Sequence, residues 1–280
     1  MGLSWRHHAP ATPPDLAGVR VLVCNSGVRV DASTIGRFEG SLILTTTSGV
    51  DHIDVAAATA RGVTVARCPL ARREPVVQHA LGELVALMRR WPALQSAARK
   101  GHWARGDLPG LQPRGLDEST VVVVGVGVIG ARMVEVLRVF GADIIGVDPA
   151  GVPDGVRAMS LDEALPLADA VTLHCQLSAT SDGLITAERL DLLAGHAVVV
   201  NTARGGVLDV EAAVERVRDG RLGGVAVDVF PTEPWPSLAD GARVSGVRFT
   251  PHGAGFTRRL GHKVSREAAL ALQAWASGQP

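Results

Sequence analysis

The stretch STVVVVGVGVIGARMVEVLRVFGADIIGVDP, residues 119–149, decides the fold. Its four consecutive valines, Val121–Val124, predict a strand that is buried on both faces, as strands of parallel sheets are. A helix is predicted directly after this strand, because apolar residues recur at helical spacing at Ile129, Met133, Val134 and Leu137. IIGVD, at 144–148, predicts the next strand. This strand–helix–strand order predicts a parallel sheet that carries helices on its faces.

The turn between the first strand and the helix has the pattern GxGxxG, as GVGVIG at 125–130. Asp148 stands at the end of the second strand, where the dinucleotide-binding fingerprint requires an acidic residue for the ribose hydroxyls. The carboxylate would repel a 2′-phosphate, so NAD is favoured over NADP. The predicted cofactor-binding residues of this unit are Gly125, Gly127, Val128, Ile129, Gly130 and Asp148.

The alternation of strands and helices continues on both sides of this unit. Downstream strands are predicted at 170–175, 197–202, 223–230 and 247–252. Upstream strands are predicted at 19–24, 41–47 and 62–68, with a helix at 75–91. We therefore predict an α/β protein with a Rossmann-like, doubly wound NAD-binding domain at 93–256. Residues 1–92 and 257–280 are predicted to form a smaller, discontinuous substrate domain.

Composition excludes several classes of function. The 280 residues are 46% hydrophobic, and 28 basic residues balance 28 acidic ones, which argues against a nucleic-acid partner. No apolar run reaches the length of a membrane span, and no secretory signal opens the chain. Cys24, Cys68 and Cys175 form no CxxC pair, so we expect reduced thiols, no metal site and a cytoplasmic location.

Three residues suited to acid–base and anion chemistry follow successive predicted strands. Arg204 follows the strand at 197–202, Glu233 follows the strand at 223–230, and His252 ends the segment at 247–252. The carboxyl edge of an open parallel sheet is where ligands bind. A guanidinium can hold a carboxylate with two parallel hydrogen bonds, and a histidine paired with a carboxylate can serve as an acid or a base.

Five motifs together resemble the D-isomer-specific 2-hydroxyacid dehydrogenase family. They are SGVDHID at 48–54, GVGVIG at 125–130, NTARGGVLD at 201–209, VDVFPTEP at 227–234 and TPHGAG at 250–255. The resemblance implies that Arg204 binds the substrate, that Glu233 pairs with His252, and that His252 exchanges the hydroxyl proton. It also implies that Ser48, Gly49 and Val50 bind the substrate carboxylate. Further cofactor contacts are expected at Thr202, Ala203, Asp228 and Gly255.

The chain departs from the family pattern near its start. Members usually have one more strand and helix before the segment matching 19–24, where this chain has a proline-rich arm. We therefore expect a truncated, flavodoxin-like substrate domain with three core parallel strands and an edge strand at 19–24. An edge strand needs cover, and we expect the arm, residues 1–17 with Trp5, or the partner subunit of a homodimer to supply it. The family's AEH motif appears as Val77-Gln78-His79.

The substrate is expected to be a small anionic 2-hydroxy or 2-keto acid. Arg72 and Arg73 are predicted in the loop CPLARREP, where the pair could hold a second anionic group, with Arg72 as the candidate substrate contact, or where the pair is simply solvated. Two other functions remain open at this point. One is the oxidation of a phosphorus acid on the same scaffold, and the other is an NAD-sensing regulatory binding protein.

Overall fold

The chain was analysed as a computed structural model, which describes residues 15–278. These residues fall into two compact units, one containing the chain up to Arg72 and from Arg258 onward, the other Arg73–Thr257. The predicted boundary at 92/93 differs from this division. The reason is packing, since the helix Leu70–Met88 places Val77 and Leu84 in a hydrophobic cluster of the second unit.

The first unit contains a three-stranded parallel sheet in the order β1–β2–β3. The elements described here are β1 (Val21–Cys24), α1 (Ala32–Arg37), β2 (Leu42–Thr45), α2 (Val55–Ala60), β3 (Thr64–Arg67) and the C-terminal helix Leu260–Ala276. The central strand β2 is buried at every position. Ile43 packs on one face against Ile35 and Phe38, while Leu42 and Leu44 pack on the other against the C-terminal helix.

The strand β1 lies at an edge of this sheet, as the sequence predicts. Leu16, from the predicted arm, is 5% exposed and belongs to the cluster that contains Ile35 and Phe38. Val23 of β1 remains 38% exposed. Residues 1–14, with the predicted anchor Trp5, lie outside the described residues. Cover of the edge by the arm or by a second subunit therefore stays a prediction.

The second unit is built on a seven-stranded parallel sheet in the order β10-β9-β8-β7-β4-β5-β6. The strands are β4 (Thr120–Val124), β5 (Asp143–Val147), β6 (Arg157–Ala158), β7 (Ala170–Leu173), β8 (Val198–Asn201), β9 (Gly224–Val227) and β10 (Val247–Phe249). The strand order reverses between β4 and β7. Doubly wound sheets bind their ligands in the crevice at such a reversal, at the carboxyl ends of the strands. The predicted fold class is confirmed.

Helices cover both faces of this sheet. They are α3 (Leu70–Met88), α4 (Trp91–Arg99), α5 (Leu108–Leu111), α6 (Val128–Val139), α7 (Leu161–Ala164), α8 (Ala187–Leu190), α9 (Val210–Arg218) and α10 (Leu238–Gly241). Alternate valines of β4 face opposite sides, so Val121 and Val123 pack with α3 and α6, whereas Val122 and Val124 pack with α7, α8 and α9. The prediction that this strand is buried on both faces is therefore confirmed.

The helix α3 begins at Leu70, five residues before the start that the sequence predicts. Its first turn is capped by a distant carboxylate, because the backbone N–H groups of Leu70 and Ala71 donate to Glu267 at 2.9 and 2.7 Å. Arg72 and Arg73 therefore lie in a helix, and the prediction that places them in a loop is wrong. Within residues 15–278, no helix has the length and apolar character to cross a membrane.

Candidate active site

Three neighbouring strands, β8, β9 and β10, end at one edge of the second sheet and deliver the candidate catalytic residues. Arg204 comes three residues after β8, and Asp228 directly follows β9. His252 comes three residues after β10. Because the strands are parallel and paired in register, these three residues all follow strand ends at the same edge of the sheet. The structure thus brings together the strand ends that the sequence singled out.

His252 and Glu233 form a hydrogen-bonded pair, in which His252 Nδ1 lies 2.8 Å from Glu233 Oε2. The other carboxylate oxygen, Oε1, accepts from the backbone N–H of Phe230 at 3.0 Å, which fixes the carboxylate to its own loop. The side chains of His252 and Glu233 are 54% and 39% exposed, so a substrate can reach the imidazole. With Nδ1 engaged, the ring presents Nε2 as the atom for proton exchange.

The turn that carries Arg204 is held by Asn201, which is fully buried. The amide of Asn201 donates to the carbonyl of Arg204 at 3.0 Å and accepts from the N–H of Ala203 at 3.0 Å. Gly205 then passes so close to the loop of Glu233 that an added Cβ would lie 1.9 Å from the Phe230 carbonyl carbon. Only glycine fits there, and the close approach brings the Arg204 turn against the segment that contains Glu233.

Asp228 organises the loop that contains His252. Its carboxylate is 2% exposed and accepts from the Thr250 hydroxyl at 2.5 Å, from the Gly253 N–H at 2.8 Å and from the Ala254 N–H at 2.9 Å. The sequence pattern assigned Asp228 to the cofactor, and that contact stays a prediction. Sequence reasoning missed that Asp228 holds the His252 loop by hydrogen bonds, because the residues that donate to it lie about two dozen positions further along the chain.

Glycines shape the turn between β4 and α6 for a ligand. Gly125 has φ +84°, and an added Cβ would lie 2.4 Å from Cys175 N, so this position requires glycine. A Cβ on Gly130 would lie 1.9 Å from the carbonyl oxygen of Gly125. Gly127, by contrast, has an ordinary φ, and a Cβ added there would meet no described atom within 4 Å. Gly127 is the N-cap of α6. A glycine with open space at a helix N-terminus suits a pyrophosphate, which the helix N–H groups and dipole attract.

Asp148 also supports this turn. Its Oδ2 accepts from the Val126 N–H at 2.7 Å, and its Oδ1 accepts from the Ala150 N–H at 2.8 Å. Each carboxylate oxygen keeps a second lone pair for a ribose hydroxyl. The residues fit the dinucleotide that the fingerprint implies. Val128 and Ile129 form the first turn of α6, as predicted from their place after the glycines.

Two buried polar atoms near the switch point have no hydrogen-bond partner among the described residues. They are Thr202 Oγ1, after β8, and His174 Nδ1, after β7. The other nitrogen of His174, Nε2, lies 2.9 Å from the Thr172 hydroxyl, and burial lowers the pKa of His174 to about 4. A bound dinucleotide could satisfy such atoms, and buried polar groups rarely stay unpaired. Ala203 is buried and Gly255 is half-buried.

The candidate substrate residues Ser48, Gly49 and Val50 of the first unit lie in one loop after β2, whereas Arg72 lies in the first turn of α3. Ser48 Oγ is the third buried polar atom without a partner in the described part of the chain, and Gly49 is buried. Arg72 donates to the Thr46 carbonyl at 2.5 Å, and burial lowers the pKa of its guanidinium. Arg72 therefore braces this loop. A substrate contact through Ser48, Gly49, Val50 or Arg72 remains a prediction.

No group of three or more histidine, cysteine, aspartate or glutamate residues that could hold a metal ion occurs in the part of the chain described by the structure.

The family model for the NAD-binding domain of D-isomer-specific 2-hydroxyacid dehydrogenases matches residues 81–254. The D-3-phosphoglycerate dehydrogenase of Methanocaldococcus jannaschii is 33% identical over 239 residues, which cover 83% of this chain and 45% of that protein. The enzyme of the same name from Mycobacterium tuberculosis is 33% identical over 261 residues, covering 90% and 49%. The chain spans about half the length of these curated relatives.

Solved structures show the same fold. D-lactate dehydrogenase from Aquifex aeolicus, in complex with NAD and lactic acid, superposes with a TM-score of 0.82 at 24% identity and covers 94% of this chain and 84% of that one. At that identity the likeness establishes the fold alone. The family-model match, in turn, confirms the NAD-binding domain that the glycine-rich turn predicts.

Proposed function

We propose that this chain, which belongs to the D-isomer-specific 2-hydroxyacid dehydrogenase family, transfers a hydride between NAD and C2 of a small 2-hydroxy or 2-keto acid. The observation that carries the proposal is the 2.8 Å hydrogen bond between His252 Nδ1 and Glu233 Oε2, beside the Arg204 turn. An acid–base pair beside the turn that carries an arginine, at the edge of a dinucleotide-binding sheet, suits a carboxylic acid that gains or loses a proton.

Arg204, His252 and Glu233 have separate roles in the proposed reaction. Arg204 binds the substrate carboxylate with its guanidinium fork. His252 Nε2 donates a proton to the C2 carbonyl oxygen during reduction, or removes it from the C2 hydroxyl during oxidation. Glu233 holds the imidazole through Nδ1, which leaves Nε2 to exchange the proton with the substrate. When bound, the nicotinamide supplies or accepts the two electrons as a hydride at C2, so the reduction consumes one hydride and one proton.

Asp148 favours NAD over NADP in this proposal. Its carboxylate stands at the end of β5, and its oxygens are placed by the N–H groups of Val126 and Ala150. A ribose 2′-hydroxyl can donate to such a carboxylate, whereas a 2′-phosphate would be repelled. We expect Asp148→Ala to weaken NADH binding and to reduce the preference against NADPH.

The substrate-binding roles of Ser48, Gly49, Val50 and Arg72 belong to the same proposal. The support is the family resemblance of the SGVDHID loop and the unpaired, buried Ser48 Oγ within it. The half-buried Arg72 braces that loop through the Thr46 carbonyl, and two of its N–H donors beyond that bond could meet a second anionic group. A dianionic keto acid should therefore be tested beside monoanionic ones.

We propose further that the protein acts in the cytoplasm as a homodimer. Trp91 and Trp103 are 53% and 85% exposed in the second unit, whereas tryptophan side chains are highly buried on average. Burial against a second copy of the chain would remove that cost. Light scattering after size exclusion measures the oligomeric state, and a monomer at micromolar concentration would contradict the dimer.

The decisive assay is NADH oxidation against a panel of 2-keto acids that includes phosphonopyruvate and oxaloacetate. His252→Ala should lower kcat by about 10²–10⁴-fold while NADH binding persists, because the proton donor acts on the substrate. Arg204→Ala should lower kcat and raise KM. Full activity in the His252 variant would end the assignment. Turnover of phosphite with NAD, or NADH binding without any turnover, would favour one of the two alternative functions instead.

A further inference from the structure

We propose that Glu83 and Arg248, together with His79, are positioning residues that fix the location of His252. The inference rests on the proposed function, because it assigns these residues a role in presenting the proton donor. All three lie on α3 or β10, away from the glycine-rich turn, and none belongs to the His252–Glu233 pair. They connect one rigid helix to the strand that leads into the active-site loop.

Glu83 and Arg248 form a two-pronged ion pair between α3 and β10. Arg248 Nη2 donates to Glu83 Oε1 at 3.1 Å, and Arg248 Nε donates to Glu83 Oε2. Glu83 is only 8% exposed, and its carboxylate raises the pKa of the Arg248 guanidinium, chiefly through these hydrogen bonds. A bidentate pair fixes both distance and angle. A buried charge that loses its partner is costly, so the pair resists sliding of the strand against the helix.

His79 makes a second contact one helical turn earlier. His79 Nε2 lies 3.2 Å from Thr250 Oγ1, and Thr250 Oγ1 lies 2.5 Å from Asp228 Oδ1. The carboxylate can only accept, so the Thr250 hydroxyl donates to Asp228 and accepts from His79 Nε2–H. His79 and Glu83 are four residues apart and therefore share one face of α3. Their partners, Arg248 and Thr250, are two residues apart on the segment that leads to His252.

The helix α3, which makes these contacts, is held in place by its buried apolar side chains. Val77, Ala80, Leu84 and Leu87 of α3 are at most 2% exposed and pack in the cluster beneath the sheet. The spacing of these residues puts the apolar stripe beside His79 and Glu83 on the helix. Because α3 cannot shift without opening that cluster, the two polar contacts transmit its position to β10.

The loop after β10 needs such support, because His252 has φ +53°. The left-handed region is disfavoured for a residue with a Cβ, and such residues persist where the surroundings hold them. The N–H of His252 donates to the Asp228 carbonyl at 2.7 Å. Thr250 and Arg248 lie two and four residues before it on the chain. Loosening these two residues should therefore allow the His252 ring to leave its place against Glu233.

The test compares Glu83→Gln with a matched ion pair elsewhere in the same unit. Arg216 holds Asp191 through Nε at 2.8 Å and Nη2 at 2.6 Å, and the Arg216 side chain is 7% exposed. Asp191→Asn therefore breaks a bidentate pair that lies outside β10. In that pair the arginine is the buried partner, and the half-exposed carboxylate also accepts from Arg221 at 2.9 Å. Measurements for both variants are kcat, KM, the NADH dissociation constant, the melting temperature and the 15N chemical shift of His252 Nδ1.

We expect Glu83→Gln to lower kcat by about 10-fold or more, since small misplacements of a reacting group are costly. NADH affinity should stay within about twofold, and the His252 Nδ1 shift should move towards that of a ring without a carboxylate partner. Asp191→Asn should lower only the melting temperature. Arg248→Lys should retain more activity than Arg248→Met, because the ammonium keeps one charged hydrogen bond.

A purely structural ion pair would give a different result. If Glu83→Gln loses as much thermal stability as Asp191→Asn but keeps wild-type kcat and the wild-type His252 shift, the positioning role is wrong. Should Glu83→Gln fail to fold, His79→Phe removes the second contact while the Thr250 hydroxyl keeps its bond to Asp228, and this variant decides by the same readouts. If the unmodified protein reduces no keto acid, the proposed function fails, and the 15N shift of the unliganded variants still decides the positioning role.

Discussion

Asp228→Asn is the sharpest perturbation of the active-site loop. The carboxylate accepts three hydrogen bonds, from Thr250 Oγ1, the Gly253 N–H and the Ala254 N–H. An asparagine keeps one carbonyl oxygen and turns an NH2 group towards the other donors. In either orientation of the amide, a backbone N–H of Gly253 or Ala254 loses its acceptor and faces another donor.

The size of the effect follows from two opposing terms. A hydrogen bond to a charged group contributes about 1.5–3 kcal/mol, and a buried donor left unpaired costs about 1–3 kcal/mol. Against this, the neutral amide no longer carries the desolvation cost of a carboxylate that is 2% exposed. We therefore expect the local opening free energy of the loop to fall by about 2–4 kcal/mol.

Amide hydrogen exchange measures this directly at Gly253 and Ala254. A loss of about 2–4 kcal/mol corresponds to exchange that is roughly 30- to 1,000-fold faster. The matched control is Asp209→Asn, because Asp209 caps α9 by accepting from the Ala212 N–H at 2.9 Å, and asparagine caps a helix as well as aspartate does. Unchanged protection of both amides in Asp228→Asn would refute the role of this carboxylate.

Three further predictions follow from the structure. Gly127→Ala should weaken NADH binding and lower the melting temperature only slightly, because alanine is a poorer N-cap but its Cβ would meet no described atom within 4 Å. Gly125→Ala, whose Cβ would lie 2.4 Å from Cys175 N, should destabilise the fold strongly. The folded-state pKa of His174, about 4, lies below the ordinary 6.5, so the unfolded chain takes up the proton first as pH falls. The free energy of unfolding should then drop by about 1–3 kcal/mol between pH 6.5 and 4 in urea titrations, and less in His174→Gln. Burial raises the pKa of all three thiols to about 11, so native protein at pH 8 should react slowly with a disulfide reagent, and fast labelling would contradict the burial of Cys24, Cys68 and Cys175.

Local sequence determined the class of fold and the family. The valine run before GVGVIG and the acidic residue after IIGV are features of one continuous stretch, and the strand, turn and helix they predict all form. The order of polar residues after successive strands likewise predicted which strand ends would meet. Periodicity and turn chemistry act over a few residues, so these features can be read from the chain in order.

Tertiary structure alone decided the start of α3 and the support of His252. Glu267 caps α3 from 196 residues away, which moves Arg72 out of the predicted loop. Glu83 and Arg248 are 165 residues apart, and His79 and Thr250 are 171 apart. Each residue in these pairs has an ordinary local context, and its role comes from a partner that only folding brings near. The free energy of such contacts depends on burial and geometry, which no window of sequence contains.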